Sequence, residues 1–492
     1  MLELVHPILV AICVFFVFLG VTPVLAGLYQ YLLLPLSAFA THLEETEPYL
    51  PRVSILIPAW NEDLVIGLTI DRLVRLDYPP DRLRIYVIDD ASSDDTPRVV
   101  IEKSKEYPGQ VFHVRRVSGG EGKAHTLNYG LEILWKNSWT EAVLIMDADV
   151  LYRPDSLRKM ARHLSDSNVG AVTAYIKEGS QSPNYVQRYI TFEYITATGA
   201  ARRAQNVLGF LICLSGGAQL HSRANLEQIG GRIFSDTLAE DTFTTFLSQL
   251  SGRRVLFDPH AVVLAEEPDS LLGLWKQRLR WARGNVQISG VFGRLWLNKQ
   301  HHRGLGSLSM FLMWFSIFLM PVFQITASLG LISLYFLDEA WAWAAFHGLW
   351  IISGVVYLIV TLCSFVVDHE SAVKCWLEGI LFPGLVSLLI ISYALWPPWI
   401  DAPMAFFELE LGVTARMVLT LFLYAWLTLS MVVSYAAIVV EKSRYFSWLA
   451  PVLLLLGGYG AFLCAVTFGA YVKEIQGAEM KWDKTVKTGK VQ

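Results

Sequence analysis

Two adjacent aspartates, Asp89 and Asp90, stand at the end of a short apolar run. A carboxylate at a strand end can accept hydrogen bonds from a ribose hydroxyl or from a uracil N–H. The same pair would also suit the turn before Ser92 and Ser93. Further along, Asp147-Ala148-Asp149 sets two carboxylates two positions apart. Such a pair can share Mg²⁺ or Mn²⁺, which prefers hard oxygen ligands and completes its shell with substrate phosphates; solvated turn carboxylates share the pattern. In Leu238-Ala239-Glu240-Asp241-Thr242, Asp241 is the type of group that takes a proton from an attacking hydroxyl. It also stands where a helix N-terminus favours an acid. Gln277-Arg278-Leu279-Arg280-Trp281 offers a guanidinium fork for a diphosphate at Arg280. Gln277 adds a hydrogen-bonding amide and Trp281 a flat face for a sugar ring. Arg278 and Arg283 read instead as charges riding on lipid headgroups. Lys123, after Gly119-Gly120-Glu121-Gly122, could reach donor phosphates or be a solvated loop lysine.

These residues need a frame. Val53 to Pro58, Leu83 to Ile88 and Val143 to Met146 are continuous apolar runs, which suit strands buried on both faces of a parallel sheet. Asp63 to Leu76 has helical spacing, and Ser92-Ser93-Asp94-Asp95 caps a further helix. Strands alternating with helices predict an α/β domain, and ligands on such sheets bind at the carboxyl ends of the strands. Two of the acidic clusters fall at those ends. Pro183 to Gly209 reads as an amphipathic helix, resting on a membrane face or packing on the domain.

The whole chain has 492 residues, 53% hydrophobic and only 17% charged. Soluble domains carry nearer a quarter charged residues, so part of this chain must sit in lipid. The net charge of −4 gives no basic footprint for nucleic acid. Cys13, Cys213, Cys363, Cys375 and Cys464 are scattered, which argues against a disulfide framework and a cysteine metal site. Four zones follow: an apolar N-terminal membrane segment over 1–45, an α/β domain over 50–300, membrane helices over 305–472, and a Lys-rich tail over 473–492.

Leu4 to Leu25 is long enough to span a bilayer and lacks the basic start of a secretory signal; Leu28 to Phe39 completes a second span or lies along the interface. Five apolar runs follow the α/β zone: Leu308 to Phe336, Trp343 to Val367, Leu377 to Trp396, Ala415 to Val440 and Trp448 to Val472. Trp341, Trp343, Trp396, Trp399 and Trp448 mark their ends as an aromatic belt would. Five simple spans would put the tail opposite the α/β domain. Yet Lys473, Lys481, Lys484, Lys487 and Lys490 favour the cytoplasmic side. One run is therefore expected to be broken or interfacial: Leu377 to Trp396, interrupted by Pro383-Gly384, or Trp448 to Val472, interrupted by Gly457-Gly458.

The ordered set Ile57-Pro58-Ala59-Trp60-Asn61-Glu62, Asp89-Asp90, Lys123 with Leu127-Asn128, Asp147-Ala148-Asp149, Ser215-Gly216-Gly217, Glu240-Asp241 and Gln277 to Trp281 resembles glycosyltransferase family 2 in its processive membrane branch. That branch contains the cellulose, chitin, hyaluronan and poly-N-acetylglucosamine synthases. The resemblance implies a GT-A (Rossmann-like) cytosolic domain inserted in a transmembrane helical bundle, and an inverting single displacement from a UDP-sugar, UDP-GlcNAc or UDP-Glc. It implies that Asp89, Asp90, Lys123, Asp147, Gln277 and Arg280 bind the donor. Asp149 with Asp147 would hold Mg²⁺ or Mn²⁺, and Asp241 would be the base. Trp281, Ser215, Gly216, Gly217 and Glu240 would face the acceptor, a growing glycan or a lipid. It further implies a bacterial inner membrane, and the tail Trp482-Asp483-Lys484-Thr485 looks like the cytosolic tail of bacterial members.

There are departures from the family pattern. Trp60 replaces the usual Tyr, Ala239 replaces the Thr of cellulose and poly-N-acetylglucosamine synthases alike, and neither the Phe-x-Val-Thr-x-Lys gating loop of cellulose synthases nor room for their C-terminal cyclic-nucleotide-binding domain is found. These favour an amino-sugar or other β-glycan over cellulose. A non-processive transferase acting on a lipid is the second reading. A transporter with a regulatory domain is the third, disfavoured by the few charges in the apolar runs.

Overall fold

The computed structural model describes residues 2–39, 48–400, 402, 412–480 and 491. Glu44, Glu45 and Glu47 and the lysines at 481, 484, 487 and 490 lie outside them. The chain forms two compact units. An α/β unit takes Leu32–Asp269 and Gln287–Phe311 with the C-terminal end; a helical unit takes Met1–Tyr31, Ser270–Val286 and Leu312–Ala478. Residues 270–286, which follow the last strand without a break in sequence character, thus group with the apolar helices.

The α/β unit is built on one sheet. Its strands are β1 (Val53–Ala59), β2 (Leu83–Asp89), β3 (Val111–Arg115), β4 (Ala142–Ile145), β5 (Val150–Tyr152), β6 (Val169–Glu178), β7 (Gln219–Ser222) and β8 (Arg254–Ala265). They lie in the order β3-β2-β1-β4-β7-β6-β8-β5. The first four are parallel, as the strand–helix alternation predicts. β7 runs antiparallel to β4 and β6, and β5 antiparallel to β8, which makes the sheet mixed.

Side chains alternate across β1 because successive residues in a strand point to opposite faces. Val53, Ile55 and Ile57 pack with Ile66, Ile70 and Leu73 of the helix Asp63–Val74. Leu56 points the other way, with Tyr86 and Ile88 of β2, onto Leu127, Leu131 and Leu134 of the helix Lys123–Trp135. Both faces are covered, which is why the sequence shows unbroken apolar runs. Each such side chain contributes about 1.5–3 kcal/mol by leaving water. The register aligns Ala59 with Asp89, and β4 ends two residues before Asp147. Hence Asp89-Asp90 and Asp147 emerge along one edge of the sheet.

The segment expected as an amphipathic helix is Tyr185–Glu193, a π-helical stretch Tyr194–Ala200 and the helix Ala201–Val207. Asn184 caps it through Val186 N and Gln187 N. Tyr189, Ile190, Phe192, Ile195, Ala200 and Ala204 are buried, so this segment packs on the domain.

In the helical unit, Met320–Leu337, Glu339–Val367 and Val413–Ser443 are each long and apolar enough to cross a membrane. Two bent pairs pass the same test together: Val5–Leu19 with Thr22–Ser37, bent by 51°, and Leu449–Gly457 with Tyr459–Ile475, bent by 98°. The other doubtful run is also broken, into Trp376–Leu381 and Leu385–Leu395. Both suspected interruptions are therefore real, and they meet. A Cβ on Gly384 would lie 2.6 Å from the Gly457 carbonyl carbon, and one on Gly458 2.3 Å from that of Pro383. The amide of Tyr459 donates to Phe382 O at 2.9 Å. Gly384 (φ 86) and Gly458 (φ 94) hold left-handed conformations that favour glycine. Two helix breaks packed backbone to backbone satisfy part of the amide capacity that each break frees.

In the α/β unit, His221 of β7 is fully buried, and burial pushes its pKa down to about 3. An unfolded histidine titrates near 6.5. Keeping His221 neutral costs nothing above about pH 6.5, whereas below it the unfolded chain takes up a proton that the folded chain refuses, so stability falls as pH drops toward 3. His221→Gln should flatten the pH dependence of the melting temperature over that window; a slope equal to wild type would contradict this account.

Candidate active site

The site forms where the loops after β1, β2 and β4 converge. The turn after β2 is tied to the turn after β1: Asn61 N donates to Ser92 Oγ at 3.0 Å, Ser93 N to Asn61 Oδ1 at 2.9 Å, and Glu62 N to Thr96 Oγ1 at 2.7 Å. Asp89 has no exposed surface. Its carboxylate accepts from Ser92 N at 2.8 Å and pairs with Arg115 at 3.1 Å and His113 at 3.4 Å. Burial opposes its charge; the bonds from His113 and Ser92 and the Arg115 charge outweigh that and hold its pKa below the usual carboxylate range. Asp89 is thus fully occupied in building the turn. Asp90 is held differently: Arg116 pairs with it and Gly120 N donates to it at 2.9 Å. The glycine-rich loop therefore folds over Asp90 and delivers Lys123 at the next helix start. Gly119 makes this approach possible, because a Cβ there would lie 2.0 Å from Asp90 O.

Lys123 is the centre of the site. Its side chain is only 7% exposed, and its ammonium lies 2.5 Å from Asp147 Oδ1, 3.1 Å from Gly216 O and 3.9 Å from Glu240 Oε1. Burial works against its charge. Asp147, Glu240 and Asp241 outweigh burial, so its pKa stands above the ordinary lysine value and it stays protonated at neutral pH. Three of the motifs read from the sequence, at Asp147, Gly216 and Glu240-Asp241, thus meet at one side chain that the sequence leaves open between a donor contact and a solvated loop lysine.

Asp147 and Asp149 flank the buried Ala148 and are themselves partly exposed. Thr69 Oγ1 pins that turn by donating to Ala148 O at 2.6 Å. Asp149 lines a small recess with Thr69, Leu151 and Glu266. Gly217 packs against the strand that follows, since a Cβ there would lie 2.8 Å from Val150 Cγ2. Among the described residues no three His, Cys, Asp or Glu side chains gather as a metal cage. Two partly exposed carboxylates are the donor type of Mg²⁺ or Mn²⁺, which keep waters and substrate oxygens as further ligands; they do not make a closed zinc site.

Asp241 lies in the first turn of the helix Glu240–Leu250. Its Oδ1 accepts from Thr242 N at 2.7 Å, and Thr245 Oγ1 donates to its backbone O at 2.6 Å. Glu240 is buried. The preceding loop is fixed by Gln287 Oε1, which accepts from Leu238 N at 3.0 Å and Thr237 Oγ1 at 3.2 Å. The loop Ser215-Gly216-Gly217 lies against Asp241: a Cβ on Gly216 would be 3.5 Å from Asp241 Oδ2 and 3.2 Å from Lys123 Nζ. Ser215 N donates to Thr173 Oγ1 at 3.0 Å, and Tyr152 Oη to Gly217 O at 3.1 Å.

Several residues stand elsewhere than the sequence suggests. Asn128 exchanges two hydrogen bonds with Ile233, at 2.7 and 2.8 Å, and anchors a loop. Gln277, Arg278, Arg280, Trp281 and Arg283 lie on the helix Leu271–Val291, within the part that belongs to the helical unit. Arg278 and Arg283 are buried, which corrects their reading as lipid-facing charges. Arg278 donates to Gln277 Oε1 at 2.5 Å and stacks 4.1 Å over the Trp281 ring. Arg283 pairs with Glu474 at 2.5 Å and donates to Ala478 O at 2.6 Å. Trp281 remains partly open, at 38% exposure. Sequence reasoning missed Arg202, Gln287, Thr173 and Tyr152. Only Arg202 left a trace, as a charge within the alanine-rich stretch Ala200-Ala201-Arg202-Arg203-Ala204.

Residues 51–284 match the family model described as Glycosyltransferase like family 2. This segment is a family 2 glycosyltransferase domain. Among its relatives is the probable glycosyltransferase YdaM of Bacillus subtilis, 32% identical over 247 residues, which are 49% of this chain and 56% of that protein. Another is the poly-beta-1,6-N-acetyl-D-glucosamine synthase of Staphylococcus epidermidis, 28% identical over 237 residues, 48% of this chain and 55% of that protein. The chain spans about half the length of these curated relatives, 55–56% of each. A mannosyltransferase from Pyrobaculum calidifontis, solved with GDP-Man and Mn²⁺, shares the fold with a TM-score of 0.53 and 22% identity, covering 79% of this chain and 99% of that one. The glycosyltransferase domain thus has the GT-A architecture, with Asp147, Glu240 and Asp241 gathered around Lys123.

In the glycosyltransferase domain, Gly119→Ala must displace the Asp90 turn. The melting temperature should fall by several degrees, as a loss of about 1–3 kcal/mol from the forced contact would require. An unchanged melting temperature would contradict the close approach of Gly119 to the Asp90 turn.

Proposed function

We propose that the chain is a membrane-embedded inverting glycosyltransferase that takes a sugar from UDP-GlcNAc or UDP-Glc and extends, and translocates, a β-linked polysaccharide. The observation that carries this reading is the convergence of Lys123, Asp147, Glu240, Asp241 and Gly216 in one polar site of a family 2 domain. The similarity to poly-beta-1,6-N-acetyl-D-glucosamine synthases supports a polysaccharide product.

In this reading Asp90 and Lys123 hold the nucleotide and its diphosphate, Asp89 supports Asp90 from beneath, and Gln277 and Arg280 add contacts to the diphosphate. Asp147 and Asp149 hold Mg²⁺ or Mn²⁺, which when bound neutralises the diphosphate charge. Asp241 accepts the proton of the acceptor hydroxyl as its oxygen attacks the sugar's anomeric carbon. That bond forms while the bond from the anomeric carbon to the β-phosphate oxygen breaks, and UDP leaves with inverted configuration at the sugar. Glu240, Ser215, Gly216 and Gly217 shape the acceptor end, and Trp281 offers its open ring face to the terminal sugar. The helices of 305–472 and the N-terminal segment embed the enzyme in the membrane. Nucleotide sugars are cytosolic, so the catalytic domain faces the cytoplasm, at the inner membrane of a bacterium.

Asp241→Asn removes the proton acceptor without removing a donor contact. Transfer should fall about 10²–10⁴-fold while UDP affinity stays within about twofold of wild type. Loss of UDP binding in a folded Asp241→Asn protein would contradict the base assignment. Excess EDTA should stop transfer, and added Mg²⁺ or Mn²⁺ should restore it; full turnover in EDTA would take Asp147 and Asp149 out of the metal role.

A further inference from the structure

Arg202 sits on the segment that the sequence offers to a membrane face, yet it is half-buried within the glycosyltransferase domain. Its guanidinium donates to Ser215 Oγ and lies 5.9 Å from the centre of the Phe257 ring. Among the described residues no carboxylate comes within ion-pairing distance of it. Taking an arginine out of water without a partner acid is costly, so its position calls for a reason other than a salt bridge. Ser215 opens the Ser215-Gly216-Gly217 loop, and the same loop is stitched to the base helix. Leu214 N donates to Thr245 Oγ1 at 2.8 Å, and Thr245 Oγ1 in turn donates to Asp241 O at 2.6 Å. The next residue, Gly216, brings its backbone against both Asp241 and Lys123.

We infer that Arg202 is a positioning residue for the acceptor side of the site, holding the Ser215–Gly217 loop across the carboxylate of Asp241 through its bond to Ser215. The inference rests on the reading of Asp241 as the base. Burial works against the charge of Arg202, while Cys213, Asp241 and Tyr194 favour it. Arginine nonetheless remains protonated, so a fixed cation lies in the field of Asp241 from one element and Lys123 from another. A loop held in this way sets where an acceptor hydroxyl can stand relative to the base, and a small displacement there costs rate out of proportion to its size. Donor binding, which uses the loops after β2 and β4, does not pass through Arg202.

The test is a double-mutant cycle in the full chain with Arg202→Gln and Ser215→Ala. Each single variant should lower kcat about 10–100-fold and leave the KM for donor and the affinity for UDP within about twofold. Arg202→Lys, whose ammonium can still donate to Ser215, should recover most of the loss. Because both substitutions break one contact, the double variant should be no slower than the worse single variant. Amide exchange across 213–217 should rise in Arg202→Gln and stay unchanged across β1 to β4; this arm reads out even if no donor supports turnover. Additive losses, a wild-type kcat in Arg202→Gln, equal losses in kcat and UDP affinity, or unaltered exchange across 213–217 would overturn the assignment. Full transfer by Asp241→Asn would instead sink the base assignment, leaving the exchange and the Arg202–Ser215 coupling to be judged on their own results.

Discussion

A single buried ammonium, that of Lys123, is the interaction on which the site depends. Three carboxylates, on Asp147, Glu240 and Asp241, act on it from two separate segments of chain. A cluster of acids in a half-buried pocket would repel itself open, and each acid would pay a desolvation penalty without return. Lys123 offsets that repulsion and draws the turn after β4 and the start of the helix Glu240–Leu250 to one point. Its bond to Gly216 O adds the Ser215–Gly217 loop to the same centre. The proposed donor and acceptor halves of the site therefore share one charge.

That arrangement in turn constrains the backbone around it. Lys123 reaches its acids only because the glycine loop before it can lie on the Asp90 turn, where a Cβ at Gly119 would be 2.0 Å from a carbonyl oxygen. The Asp90 turn is held by Asp89, whose carboxylate is spent on Ser92, His113 and Arg115. Beneath these turns the strands are buried on both faces and fix where each loop starts. The Asp241 side is supported more indirectly, through Gln287, Thr173, Thr245 and Arg202, none of which carries an acid. The site is thus a set of short loops tied to one another and to a rigid sheet edge, with few residues left over that only fill space.

The fold was legible wherever burial on two faces produced an unbroken apolar run, as in β1, β2 and β4. The clusters at Asp89-Asp90 and Asp147-Asp149 were legible because strand ends locate them. Lys123 was not, since a lone lysine after glycines has the same local pattern whether it is solvated or enclosed; only the fold brings Glu240 to it. Arg202 was hidden by helical periodicity, which marks a charge as outward, whereas a π-helical stretch precedes it and changes which face the helix presents. Arg278 and Arg283 misled for a related reason. Proximity to an apolar run suggests a lipid surface, but Glu474 and the Trp281 ring supply partners from within the helical unit. The two glycine breaks could not be ranked from sequence because they are one feature: each accommodates the backbone of the other.

Glycosyl transfer from a UDP-sugar to a growing chain is most directly tested with the purified full-length protein in nanodiscs, with Mg²⁺ or Mn²⁺ and radiolabelled UDP-sugars in turn, with and without lipid extract, followed by sizing of the product. A high-molecular-weight polymer made from one donor is the predicted result and would name the sugar. A product of one or two sugars that extracts with lipid would contradict polymer synthesis and assign the domain to a lipid acceptor.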